Sequence, residues 1–207
     1  MDGFQNRSGP RDGPDDFPTP KWATRAFMAH CMPDDLSELT VWEPAANRGY
    51  MSSTLAEFCG NVIASDLHDY GVGFPVIDFL DGPTPMEYGA EVSAIITNPP
   101  FNKAVEFFNR WKSLESVDCL AMLLRLSWME GVNRYNGVFN GHAPAYICPY
   151  AERVPIVKER VDQKAVTQMP YAWFVWDRDK DKYQRTRVKW IPPCRKDFEK
   201  EGDYPNE

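Results

Sequence analysis

The stretch "AIITNPPFNKAVEFF" occupies residues 94–108, and its reading decides the fold. Ala94 to Thr97 is an apolar run suited to a buried strand, and residues 103–114 suit a helix. Between them stand Asn98, Pro99, Pro100 and Phe101. Proline has no backbone N–H and cannot serve inside a central strand. Each residue before a proline is held extended. The strand must therefore stop at Asn98, and a rigid turn must pass the chain to the helix.

The same alternation extends in both directions. Toward the N-terminus, residues 20–32 read as a helix with Thr19 as N-cap and Pro20 as its first residue. "LTVWEPA" (39–45) reads as a buried strand, residues 50–59 as a helix stopped by Gly60, and "NVIASDL" (61–67) as a second strand. "FPVIDFLD" (74–81) reads as a short third strand, residues 93–98 as the fourth, and "CLAMLLRLSWM" (119–129) as a fifth. Further on, "YAWFVWD" (171–177) and "TRVKWI" (186–191) flank a charged tip and predict an antiparallel hairpin that closes the sheet. Strands alternating with helices predict an α/β fold, a doubly wound and mostly parallel sheet. Residues 1–16 read as a mobile arm, 17–193 as one domain with a loop-rich insertion around 130–170, and 194–207 as a loose polar tail.

The composition fits a folded globule rather than a disordered chain: 207 residues, 43% hydrophobic and 14% aromatic. No apolar run is long enough to span a bilayer, and the N-terminal stretch has no signal-like apolar segment. The five cysteines form no C-x-x-C pair and share no ligand spacing with the three histidines. The expectation is core thiols in a reducing, cytoplasmic compartment and no metal site. The net charge of −7 argues against nucleic acid, but residues 151–196 carry twelve Lys/Arg against six Asp/Glu. That is either a basic face on an acidic protein or a solvated surface of mixed charge.

Three acids end three successive predicted strands: Glu43, Asp66 and Asp78. Ligands of doubly wound sheets bind at those strand ends. Asp66 can accept ribose hydroxyls, and Asp78 an adenine amino group with Phe79 against the ring. In "EPAANRGYM" (43–51) only Gly49 is left of the glycines usual in a nucleotide-binding turn, and Asn47 tolerates a left-handed backbone. Together they suggest an adenosine-bearing cofactor. In the Pro-Pro turn, the Asn98 amide oxygen and the Pro99 carbonyl can accept two hydrogen bonds from one amino group, and Phe101 offers a flat face.

These residues resemble the motifs of S-adenosylmethionine-dependent amino-group methyltransferases. "NPPF" is similar to the catalytic motif of DNA adenine-N6 methyltransferases, and related motifs recur in some RNA and protein-glutamine enzymes. "FPTPKW" (17–22) is similar to their N-terminal cofactor motif and "EPAANRG" to their first-strand motif. That order matches the gamma class. "AMLLRLSWMEG" with "YAWFVWDR" further resembles small phage and prophage enzymes, which would place the protein in a bacterial host's cytoplasm. The resemblance implies a class I, Rossmann-like methyltransferase fold and S-adenosylmethionine as cofactor. It implies catalysis by Asn98, Pro99, Pro100 and Phe101. It implies cofactor contacts from Phe17, Thr19, Pro20, Glu43, Ala45, Asn47, Gly49, Asp66, Asp78, Phe79 and Asn98. The substrate would be adenine in DNA, flipped from a duplex or single-stranded. RNA and protein glutamine are the alternatives. Phe101 would stack on the base, with Trp176 either joining it or packing in the core. Apart from the resemblance, alternate spacing puts Arg185, Arg187 and Lys189 on one face of the predicted strand, where they would either meet phosphates or form a plain solvated face. Little chain is left after the turn for reading sequence, so weak specificity, a very short site or a partner subunit is expected.

Overall fold

A computed structural model describes residues 15–32, 36–179 and 185–204. Its centre is a seven-stranded sheet. The strands are β1 (Thr40–Glu43), β2 (Asn61–Ala64), β3 (Ala94–Thr97), β4 (Cys119–Arg125), β5 (Tyr146–Pro149), β6 (Tyr171–Asp177) and β7 (Arg187–Val188). Their order across the sheet is β2-β1-β3-β4-β6-β5-β7. Pairing is parallel from β2 through β4 and between β5 and β7; β6 runs antiparallel to both β4 and β5.

Strands β3, β4 and β6 are buried on both faces, which is why they read as continuous apolar runs rather than alternating ones. Successive side chains feed two cores. Ile96, Leu123 and Trp173 join helices α1 (Lys21–Cys31) and α2 (Tyr50–Leu55) on one face; Ile95, Leu120 and Phe174 join α3 (Ala104–Ser113) on the other. The Phe27 and Trp173 rings stack at 4.0 Å between centroids, fixing α1 to β6.

Several expectations change here. The third predicted strand is a single bridge between Asp66 and Val76. Pro75 has no N–H for a ladder, and Val76 and the segment before it face solvent, so burial cannot extend the pairing. Helix α2 ends at Leu55, and residues 56–60 finish as turns. Thr19 does not cap α1: Pro20 holds the N-cap position and no side chain bonds there. The antiparallel closure is made by β6 with β4 and β5, while β7 pairs with β5 and not with β6. Strand β5, "YICP", lay unnoticed in the predicted loop-rich insertion. Most of the charged tip, residues 180–184, lies outside the described residues.

The ends of the domain are also built in. Asp16, assigned by sequence to the arm, is only 4% exposed; residues 1–14 lie outside the described residues. The polar tail packs back through α4's successor, a short helix: after α4 (Val132–Arg134) comes α5 (Arg195–Phe198), and Asp203 follows it into the interior. Arg25 bonds both Asp203 oxygens, at 2.7 and 2.9 Å, as well as the Glu57 carboxylate and the Phe198 carbonyl. A buried guanidinium is stable only when so paired, so the tail up to Tyr204 belongs to the fold.

Candidate active site

The carboxyl ends of β1 and β3 open onto a cavity of about 460 Å³. This is within the usual size range for a small-molecule site. Phe17, Thr19, Glu43, Ala45, Asn47, Asp66, Asp78, Phe79 and Asn98 all line it. Pro20, Gly49, Pro99 and Phe101 do not line it.

The first-strand loop is held by its own polar groups. Asn47 adopts the left-handed conformation, at φ 51°. Its backbone N–H donates to Asp66 Oδ2 at 2.8 Å, its Nδ2 donates to Asp16 Oδ1 at 2.9 Å, and its Oδ1 accepts from the Arg48 N–H. Arg48 also bonds Asp16, at 2.7 Å. Gly49 follows at φ 79°, where a Cβ would stand 2.8 Å from the Phe74 ring. The glycine is therefore needed for its left-handed backbone rather than for lining the cavity.

The acids differ in state. Asp66 accepts from the N–H groups of Asn47 and His68, one on each oxygen. Asp78 accepts from the Leu80 N–H. Glu43 is 2% exposed, and its Oε2 has no hydrogen-bond partner among the described residues. Burial pushes the Glu43 carboxyl well above the usual range; Ser52 beside it offsets part of the rise and the Asp66 charge adds to it. Burial raises Asp66 as well, against the bonds from His68 and Asn47. With Asp15 and Asp81, five carboxyl groups among the described residues line the cavity. A cavity so lined suits a ligand with positive charge.

At the Pro-Pro turn, Asn98 Nδ2 donates to the Phe17 carbonyl and to Thr19 Oγ1, both at 3.1 Å. The two amide hydrogens are thus spent on the N-terminal segment. The amide oxygen is left for another partner. Among the described residues no donor is bonded to the Pro99 carbonyl. Pro100 accepts from the Lys103 N–H and so starts the following helical turn. Phe101 lies 6.0 Å from the Tyr171 ring, and the Arg125 guanidinium sits over it at 5.3 Å.

Four other sequence assignments, all to the substrate, lie away from this site. Trp176 is 0% exposed, donates to the His142 carbonyl and packs on Phe108, so it cannot meet a substrate base. Arg185, Arg187 and Lys189 lie on or beside β7, four strand positions from β3 and so roughly 19 Å across the sheet. Lys189 is also occupied: it donates to the Cys31 carbonyl and covers the Tyr146 ring at 4.1 Å. Phe79 keeps its place at the cavity but is packed between Trp42 and Phe107. Sequence reasoning missed Tyr50, Met51, Tyr70 and Lys103 in the lining, and it missed Asp16 behind it. Two acids directly before "FPTP" were the available signal for Asp16; nothing marked Tyr70.

No protein-family model matches the chain, and no curated protein matches it. Solved structures do. The type I restriction-modification methyltransferase subunit of Streptococcus thermophilus superposes with a TM-score of 0.56 over 93% of this chain and 50% of its own, at 14% identity. A candidate RNA methyltransferase from Pyrococcus horikoshii gives 0.55 over 86% of this chain and 93% of its own, at 18% identity. The chain has the Rossmann-like methyltransferase fold. It spans half the length of the first of these subunits and 44% of a second, from Vibrio vulnificus, which matches at a TM-score of 0.50 and 15% identity. Among the described residues no group of three His, Cys, Asp or Glu is placed to hold a metal ion, and no helix is long and apolar enough to cross a membrane.

Proposed function

We propose that the protein transfers a methyl group from S-adenosylmethionine to the exocyclic N6 amino group of adenine in DNA. The observation that carries this reading is the clamp on Asn98. With Nδ2 bonded to Phe17 and Thr19, the side chain holds Oδ1 as a fixed acceptor at the cavity edge.

Adenine's amino lone pair is delocalised into the ring, so the nitrogen is a weak nucleophile. Asn98 Oδ1 and the Pro99 carbonyl accept hydrogen bonds from its two N–H groups and favour a tetrahedral nitrogen, which on methylation gives up one of those protons to solvent. These bonds strengthen as positive charge grows on that nitrogen, so they favour the transition state over the ground state. The turn's prolines keep both acceptors rigid, and the alignment they enforce supplies much of the rest. Phe101 stacks on the extruded base.

The cofactor supplies an electrophilic methyl group on a sulfonium. The cavity's residues fit it. Glu43, with its unpartnered buried oxygen, would take the methionine ammonium; Asp66 and Asp78 would take the ribose and adenine ends. Five free cysteines, four of them buried, support a reducing cytoplasm as the setting.

The test is methyl transfer from labelled S-adenosylmethionine to DNA, RNA and protein in parallel, with mass spectrometry of the modified nucleosides. N6-methyl-2′-deoxyadenosine is the expected product. A methyl group found only in RNA or on glutamine would replace the DNA assignment, and transfer to none of the three would end the reading.

A further inference from the structure

Arg125 is the last residue of β4, and it is not part of the cavity. Its register partner is Tyr171. Strands β3 and β4 pair so that Thr97 faces Met122, which puts Arg125 level with the Pro-Pro turn. Its guanidinium covers the Phe101 ring. Asn98 and Pro100 line the cofactor cavity, whereas Phe101, Arg125 and Tyr171 do not. Phe101 and Arg125, both partly exposed, lie beyond the turn, with the buried Tyr171 beside them.

Among the described residues the Arg125 guanidinium makes no hydrogen bond or ion pair, and its Nε is buried without a partner. Other partly buried arginines of the fold have carbonyl or carboxylate partners; Arg110, whose Nε is likewise buried without one, still donates through Nη2 to the Gly82 carbonyl. Arg25 bonds two carboxylates, Arg178 bonds the carbonyls that end α3, and Arg134 bonds the Trp128 and Glu130 carbonyls. A guanidinium offers five donors in a planar fork, and leaving a buried donor unpaired is costly. The contact with the Phe101 ring uses none of the donors.

We infer that Arg125 binds a backbone phosphate of the nucleic acid beside the target nucleotide. The assignment rests on the nucleic-acid reading above. The cofactor carboxylate is a poor candidate because Arg125 lies outside the cavity. A nucleotide brings a phosphate at a fixed spacing from its base, and the arginine fork matches phosphate oxygens two at a time. A glutamine side chain brings no obligatory anion.

The experiment uses the full chain and a synthetic oligonucleotide with one adenine, DNA or RNA according to what the wild type methylates. Arg125→Gln is expected to raise KM for the oligonucleotide roughly ten- to a hundredfold and to leave the S-adenosylmethionine Kd unchanged. It should also lower the log–log salt slope by about one. Arg125→Lys should restore the slope and only part of the KM. Replacing single phosphates near the adenine by neutral methylphosphonate should impair the wild type at one position and have no further effect there in Arg125→Gln. A variant with wild-type KM and slope, or a methylphosphonate penalty equal in both proteins at every position, would overturn the inference. If Arg125→Gln does not fold, a wild type indifferent to every methylphosphonate overturns it as well. A wild type that methylates no nucleic acid instead overturns the underlying reading, which separates the two failures.

Discussion

Thr19 Oγ1 accepts a hydrogen bond from Asn98 Nδ2 across 79 residues of sequence, at 3.1 Å. The residue placed by pattern at a helix cap thus restrains the side chain of the Pro-Pro turn. Helix α1 manages without it, because Pro20 pre-sets the backbone at its start.

Thr19→Val should therefore slow methyl transfer without unfolding α1. Losing one neutral hydrogen bond corresponds to about 0.5–1.5 kcal/mol, or roughly three- to tenfold in the single-turnover rate. Thr19→Ser should be near wild type. Asn98→Ala removes the acceptor itself and should cost on the order of a hundredfold or more. Equal single-turnover rates for Thr19→Val and wild type would detach the clamp from catalysis.

The two strand-end acids should separate by their partners. Asp66 holds the N–H groups of Asn47 and His68, so Asp66→Ala releases the first-strand loop as well as any ligand contact. Both thermal stability and S-adenosylmethionine affinity should fall. Among the described residues the Asp78 side chain braces only the local Leu80 N–H, so Asp78→Ala should weaken cofactor binding, by about 1–3 kcal/mol if a buried donor is stranded, with a smaller effect on stability. Calorimetric titration beside thermal melts distinguishes the two. Unchanged affinity in both variants would remove these acids from the cofactor site.

Much of this was legible in the sequence because it is written locally. The strand-turn-helix at residues 94–113 follows from two prolines, and the left-handed Asn47 from the scarcity of glycine in its turn. What was not legible depends on partners distant in the chain. Strand β5 is four residues long and gains its place only between β6 and β7. Residues 74–81 have the apolar content of a strand but no second neighbour to pair with, so they form one bridge. Trp176 and the residues of β7 were read by composition, which cannot tell a buried aromatic from a stacking one, or an edge strand from one beside the site. Asp203 looked like tail because its partner, Arg25, is 178 residues away.

That pair gives a stability prediction. Arg25 and Asp203 side chains are each 4% exposed, and their bidentate bond ties the C-terminal segment to α1. Removing one partner of a buried pair leaves the other charge uncompensated, a loss of about 3–5 kcal/mol. Glu57 stays bonded to Arg25, so Asp203→Ala should fall near the lower end. Urea denaturation is the measurement. A midpoint unchanged from wild type would mean that the tail contributes nothing to the fold.

Glu43 should make both stability and cofactor binding depend on pH. Burial holds its carboxyl well above the usual range in the folded protein, whereas an unfolded glutamate titrates near about 4.3. Between those two values the native state keeps a proton that the unfolded chain has lost. The unfolded state then binds fewer protons, so stability falls as pH rises through that window. The protonated carboxyl's contribution is complete below the unfolded value and is lost toward the folded one. Glu43→Gln is neutral throughout and should lack this part of the slope, with Asp66, also raised, supplying what is left. Cofactor binding should move the other way. A methionine ammonium beside Glu43 favours the ionised carboxylate, so affinity for S-adenosylmethionine should increase as pH rises through the same window, with a proton released on binding. Glu43→Gln should bind more weakly and without that increase. Melting curves and calorimetric titrations across a pH series check both slopes. If Glu43→Gln runs parallel to wild type in the two series, the unpartnered oxygen at the end of β1 neither titrates in this window nor meets the ammonium.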